Sequence, residues 1–270
     1  MKKICFVGGG NMATALLTGL RKSHPTLDCH IIEPFAPARE KLAAFAVTVH
    51  ESANRAAIDG ADAVVLATKP QVLKTVCSEL LPCLNGELIV SIAAGTRSTT
   101  LSRWLGGHAR IVRTMPNTPA LIGQGITGLY APETLFASDV ATATELMCAM
   151  GVVVRVESEA MIDSVTAVSG SGPAYVFYFI ESLRDAALAL GFSEEQARQL
   201  AIETVVGAAA LAAASREDVS ILRQRVTSRG GTTEAALNSL DADKVKTAFV
   251  RAIKAADARG RELGDLLGKD

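Results

Sequence analysis

Apolar residues fall first into short continuous runs and later into long helical stretches, and the change divides the chain. Lys3–Val7 is an apolar run that breaks into Gly8-Gly9-Gly10, after which Met12, Leu16 and Leu20 recur at helical spacing. Runs and helical patterns then alternate to about residue 114. Strands are expected over residues 29–32, 47–49, 63–67, 88–92 and 111–114, and helices over 38–46, 72–81 and 100–105. A helix over 137–150 and a last strand over 152–156 follow. Such alternation predicts a doubly wound parallel sheet.

From residue 161 only helices are expected. Pro173 suits the first turn of one reaching Leu190, and Ser193 with Gln196 forms a capping box for another reaching about Ala214. Both are apolar almost all round, in 175–180 and 205–214, and a helix of that kind is buried on more than one side. About 110 residues are too few to wrap two of them, so a second copy of the chain is expected to cover them in an intertwined homodimer or higher homo-oligomer. The expected division is a Rossmann-like domain over 1–160 and an all-helical domain over 161–270, giving an α/β fold overall.

Strand, glycine turn and helix in that order, with Gly8-x-Gly10-x-x-Ala13, make a dinucleotide-binding βαβ unit. Gly8 makes the tight turn. Gly10 lets the backbone approach a pyrophosphate, Ala13 lets the helix lie close to the strand, and the helix start offers free N–H groups. Glu33 lies 20 residues past Ala13, where an acid accepts the adenosine ribose hydroxyls of NAD and repels the phosphate of NADP. Arg39, further on, would attract that phosphate, so both cofactors stay open. Thr68-Lys69-Pro70 and Ala93-Ala94-Gly95-Thr96 follow strand ends on the same edge and are expected beside the nicotinamide. The proline-bracketed Asn117 is expected in a cleft wall.

A second cradle lies in Ser228-Arg229-Gly230-Gly231-Thr232-Thr233, where two glycines lead into a helix with hydroxyls nearby. It suits a small carboxylate. A cofactor fold with a separate small-anion cradle suggests hydride exchange with a small acid.

Composition narrows the partners. The 270 residues are 49% hydrophobic, and a chain of this size buries about three-quarters of its unfolded surface. With 27 basic against 28 acidic residues and no basic stripe, neither nucleic acid nor an anionic membrane is an expected partner. No run of 18 uninterrupted apolar residues occurs, so no membrane span is expected. The apolar run after Lys2-Lys3 ends too early for a signal peptide. The five cysteines, without CxxC spacing, read as reduced core thiols of a cytoplasmic protein. The four histidines show no metal-ligand spacing, and no metal is expected.

In order along the chain stand Gly8-x-Gly10-Asn11-Met12, Lys69-Pro70, Ser91-Ile-Ala-Ala-Gly95, Arg113-x-Met-Pro-Asn-Thr-Pro119, Val168-Ser-Gly-Ser-Gly-Pro-Ala-Tyr175 and Ser228-x-Gly-Gly-Thr-Thr233. Together they resemble the pyrroline-5-carboxylate reductases, over essentially the whole chain. The resemblance implies NAD(P)H-dependent reduction of the cyclic imine 1-pyrroline-5-carboxylate to L-proline, the last step of proline biosynthesis. NADP is the implied cofactor, with NAD as the other choice. It also implies that Gly8, Gly9, Gly10, Asn11, Met12, Asn54, Ala67, Thr68, Lys69, Pro70, Ala93, Ala94 and Gly95 hold the cofactor. Ser228, Gly230, Gly231, Thr232 and Thr233 would hold the substrate, with Thr233 as the catalytic hydrogen-bonding group. Arg229 departs from the proline commoner in the family. A β-hydroxyacid dehydrogenase would need a lysine after its second glycine motif, and no lysine occurs from 75 to 243. A non-catalytic NAD(P)-binding sensor would have no need of the second cradle.

Overall fold

The computed structural model describes residues 1–269. Eight strands form one sheet: β1 Lys3–Val7, β2 Asp28–Ile32, β3 Thr48–His50, β4 Ala63–Leu66, β5 Ile89–Ser91, β6 Ile111–Met115, β7 Gly125–Tyr130 and β8 Gly151–Arg155. Around them lie α1 Asn11–Ser23, α2 Ala36–Leu42, α3 Arg55–Ile58, α4 Pro70–Leu80, α5 Ser98–Trp104, α6 Ala137–Cys148 and α7 Ala160–Val165. The remaining helices are α8 Gly172–Ala189, α9 Glu194–Ala214, α10 Val219–Arg225, α11 Thr232–Ala242 and α12 Val245–Gly268.

The strand order is β3-β2-β1-β4-β5-β6-β7-β8. The six strands from β3 to β6 run parallel, with apolar cores on both faces, as the continuous Val/Ile/Leu runs predict. The Rossmann-like α/β expectation is borne out. The far edge departs from an all-parallel sheet: β7 runs antiparallel to β6 and parallel to β8. Its sequence, Gly125-Ile-Thr-Gly-Leu-Tyr130, carries two glycines that weaken any strand signal. Packing explains one of them: a Cβ on Gly128 would stand 2.6 Å from Val165 Cγ1.

By contacts the chain forms two compact units, residues 1–171 with 256–270, and residues 172–255. This drawing differs from the expected 1–160 and 161–270. Residues 161–171 belong with the sheet because α7 packs on β6 and β7, and a π-helical turn at Thr166–Gly170 separates it from α8. The last turns of α12 return to the sheet unit. Arg97 Nη2 meets Asp265 Oδ1 at 2.6 Å, and Ser164 Oγ donates to Asp257 Oδ1 at 2.8 Å. In the helical unit Tyr175 and Phe179 pack on Phe249. Four cysteines are buried and Cys148 is exposed. Burial pushes the Cys5 and Cys77 thiols up to about 12, so these two are inert fillers.

Close approach sets the position of α1. A Cβ at Gly19 would fall 1.8 Å from the Ala149 carbonyl oxygen, just past α6. Along the β2–β3 edge, Asn54 Nδ2 donates to His50 Nδ1 (3.2 Å), the His50 Nε2–H reaches His30 Nδ1 (2.9 Å), and the His30 Nε2–H reaches Asp28 Oδ2 (3.1 Å). Accepting from Asn54 at Nδ1 leaves the His50 ring neutral. Burial first, then His30 and Lys3, lowers the His50 pKa below its ordinary 6.5.

Two outcomes are expected. Gly19→Ala, which at an open helical site would stabilise by up to about 1 kcal/mol, is expected to cost about 1–3 kcal/mol by overpacking; a urea midpoint at or above wild type would refute the close contact. Below pH 6.5 the unfolded chain binds a proton that folded His50 refuses, so stability falls as pH drops from 6.5 towards the lowered folded value. Thermal melts of His50→Gln over this range are expected to show a flatter pH dependence, and an unchanged slope would remove His50 from the network's titration.

Candidate cofactor cleft and substrate loop

At the switch point between β1 and β4 the strand order diverges, and a cleft of about 650 Å3 opens beyond the strands' carboxyl ends. In an open α/β sheet this is where ligands bind. Its floor is the turn after β1. Gly8 has φ +99°, and a Cβ there would lie 2.9 Å from the Ala67 carbonyl oxygen and 3.0 Å from Thr68 Cγ2. Both the conformation and the space require glycine. A Cβ on Gly9 would meet Leu42 Cδ1 at 2.6 Å, whereas Gly10 faces open space ahead of α1. Ala13 is buried, as close helix–strand packing requires.

Gly8, Gly9, Gly10, Glu33, Ala67, Thr68 and Lys69 are brought together in this cleft. The buried Thr68 hydroxyl oxygen lacks a hydrogen-bond partner among the described residues, and a polar group of a ligand in the cleft would satisfy it. A bare glycine cradle and an orphaned hydroxyl fit a dinucleotide. The other expected residues sit elsewhere. Asn11 and Met12 begin α1, Met12 resting on the core. Pro70 begins α4, and Ala93, Ala94 and Gly95 follow β5 on the neighbouring strand. Asn54 is spent as the N-cap of α3: its Oδ1 accepts the Ala57 N–H at 2.9 Å and its Nδ2 donates to the Ser52 carbonyl at 2.9 Å. Its side chain is thus anchored to the chain directly beside the cleft. Its neighbours Glu51, Ser52 and Ala53 line the cleft. Sequence reading missed them, although their place directly after a parallel strand was the available signal.

Glu33 is also committed. Its Oε2 accepts the Gly9 N–H at 2.8 Å and its Oε1 the Phe35 N–H at 2.9 Å. Arg39 Nη1 donates to the carbonyls of Glu33 (3.1 Å) and Pro34 (2.7 Å), and Nη2 pairs with Glu51 Oε1 at 2.5 Å.

The side chain of Asn117, in the loop expected to wall the cleft, turns into the protein. It is buried, accepting the Ile126 N–H at 2.9 Å and donating to the Ser169 carbonyl at 3.2 Å, and so ties three segments together. The loop after β5 is braced from beneath by the buried Arg113, whose Nη1 donates to Glu159 Oε1 at 2.9 Å. Glu159 also receives the Ser98 N–H and hydroxyl, at 2.5 and 2.8 Å. Burial raises the nearby Asp163 pKa, opposed by Arg113. Leu263 and Leu267 of α12 pack beside Gly95.

In the helical unit the 228–233 loop is largely exposed, with Thr233 half-buried. Gly230 has φ +71°, and Gly231 precedes α11. The two glycine N–H groups already have partners within the chain. Gly230 N–H donates to Glu234 Oε2 at 2.6 Å and Gly231 N–H to the Ser228 carbonyl at 3.0 Å. The N–H groups of Thr232, Thr233 and Glu234 lie ahead of the first helical bond, from Ala235 N–H to the Gly231 carbonyl.

Comparison with known proteins agrees with this layout. Residues 159–263 match the family model for pyrroline-5-carboxylate reductase dimerisation, and residues 3–95 that for NADP oxidoreductase, coenzyme F420-dependent. The pyrroline-5-carboxylate reductase of Pseudomonas aeruginosa is 46% identical, covering 99% of this chain and 98% of its own. That of Vibrio alginolyticus is 39% identical over 98% of each. Among solved structures, the Coxiella burnetii enzyme superposes with a TM-score of 0.90 at 39% identity, covering 96% of this chain and 97% of that one. The Plasmodium falciparum enzyme, with NADP bound, gives 0.83 at 28%, covering 97% and 98%. Having the oxidoreductase fold, the cofactor cleft and relatives of this identity over its full length, the chain belongs to the pyrroline-5-carboxylate reductase family.

Proposed function

We propose that this chain reduces 1-pyrroline-5-carboxylate to L-proline, with NADP(H) as cofactor and NAD(H) as the alternative. The observation that carries the reading is the cleft at the switch point, where only glycine fits at position 8 and the Thr68 hydroxyl awaits a partner. The 8–12 turn and the 67–70 and 93–95 loops hold the dinucleotide, which supplies a hydride. The chain's remaining task is to hold a small ring acid and steady its nitrogen. In the 228–233 loop the Thr232 and Thr233 N–H groups, the helix dipole and the Ser228 hydroxyl receive the carboxylate. The substrate competes with Glu234 for the Gly230 N–H. Thr233 hydrogen-bonds the ring nitrogen. The imine binds already protonated, so hydride addition to its carbon yields the neutral amine and no strong acid is needed. Catalysis requires this loop and the nicotinamide to meet.

We also assign residues 161–270 to dimerisation and substrate binding. α8 has no buried residue, and Phe177, Tyr178, Val206 and Leu211 are exposed on α8 and α9. α9 is long and apolar enough to cross a membrane by length and mean hydropathy. Its match to a dimerisation model supports cover by a second copy instead. Burial of Cys5 and Cys77 as thiols suits a cytoplasmic location.

Adding 1-pyrroline-5-carboxylate is expected to oxidise NADPH; no oxidation with either cofactor would favour the sensor reading. Thr233→Ala is expected to lose at least about tenfold in kcat/KM, about 1.4 kcal/mol, and unchanged kinetics would remove Thr233 from the reaction. In sedimentation the protein is expected to run as a dimer or larger, with Phe177→Glu shifted towards monomer. A wild-type monomer at micromolar concentration would refute the covered-helix reading.

A further inference from the structure

The adenosine end of the cleft holds an arrangement that the reaction itself does not call for. The Arg39 guanidinium is stapled on one side to the carbonyls of Glu33 and Pro34, at the very end of β2. Its other side is closed by Glu51, which lines the cleft. The end of the second strand is where a dinucleotide's adenosine ribose arrives, and an arginine there accommodates a 2′-phosphate. A guanidinium fixed by main-chain carbonyls is oriented for such a group, because its planar fork has lost little further freedom to lose. A carboxylate of the same chain already occupies its free edge.

The two acids at this end differ in how firmly they are held. Glu33 is tied through both oxygens to the Gly9 and Phe35 N–H groups. Glu51 is 76% exposed and meets Arg39 through one oxygen, a pair of the sort whose net worth is small. It is therefore the displaceable one.

We propose that Glu51 sets the cofactor preference of this chain, by competing as a tethered carboxylate with the 2′-phosphate of NADP for the Arg39 guanidinium. NADPH must displace Glu51 and leave it facing a phosphate. NADH, lacking the phosphate, leaves the pair intact and gives its ribose hydroxyls to Glu33. Glu51 thus penalises NADPH selectively, and Arg39 is the group through which the penalty acts. This rests on the dinucleotide reading of the cleft.

The test is direct titration of NADPH and of NADH, by calorimetry without substrate, into wild type, Glu51→Gln, Arg39→Ala and the double variant. Glu51→Gln is expected to tighten NADPH by about fivefold, the upper range for an exposed ion pair, while NADH stays within about twofold. Arg39→Ala is expected to weaken NADPH and to erase the effect of Glu51→Gln. NADH binding in every variant reports an intact cleft. Equal effects on both cofactors, no change in their ratio, or a Glu51→Gln effect that survives Arg39→Ala would overturn the proposal and leave the cleft assignment standing. Failure of wild type to bind either cofactor would overturn both.

Discussion

The approach of the β1 turn to the end of β4 is the constraint on which the rest depends. Ala67 N–H donates to the Val7 carbonyl at 2.9 Å, and Gly8 N–H to the Ile32 carbonyl at 2.9 Å, so three strands end together. With the strand ends knitted this tightly, a side chain at position 8 would strike the Ala67 carbonyl. The turn must pass through left-handed space, and α1 then starts over the cleft. Gly19 extends the same logic along α1, which lies against the end of α6 with no room for a methyl group. Small residues here are dictated by distance, and the phosphate cradle is its consequence.

Internal carboxylates occupy the groups that the ligands are expected to use. Glu33 sits on the Gly9 N–H, Glu51 on Arg39 and Glu234 on the Gly230 N–H. A donor or cation left without a partner costs free energy, and these acids offset that cost before a ligand arrives. On the proposed reading, an anion that takes the Gly230 N–H or the Arg39 guanidinium must exchange with the acid already there. Exchange lowers the gross gain of each contact and makes discrimination depend on which acid yields.

The loop after β5 is held differently. Arg113 and Glu159 form a buried pair beneath it, and Arg97 with Asp265 joins it to the end of α12. Breaking a buried pair by removing one partner leaves a stranded charge, so this support is rigid where Glu51 is yielding. The contrast suits a site in which the reacting end of the cofactor must be placed firmly while the adenosine end selects between two forms of it.

Much of this was legible along the chain. Continuous apolar runs announced the parallel strands, the Gly8 turn announced the cleft, and helices without a polar stripe announced a surface awaiting a partner. Each signal is local, arising from backbone freedom or from periodicity within one element. The strand β7 was hidden because its glycines answer to neighbours outside the strand, Gly128 to Val165 and Gly125 to Ala120 and the Met150 carbonyl. Asn54 and Asn117 share a residue type, yet one caps a short helix and the other ties distant segments, and only their neighbours decide which. Glu51 carries no motif at all. Its role exists because β3 pairs with β2 and brings it to Arg39. Amino-acid order alone determined the elements and their chemistry, whereas the tertiary fold decided which donors remain free, because hydrogen-bond partners are chosen by distance in space.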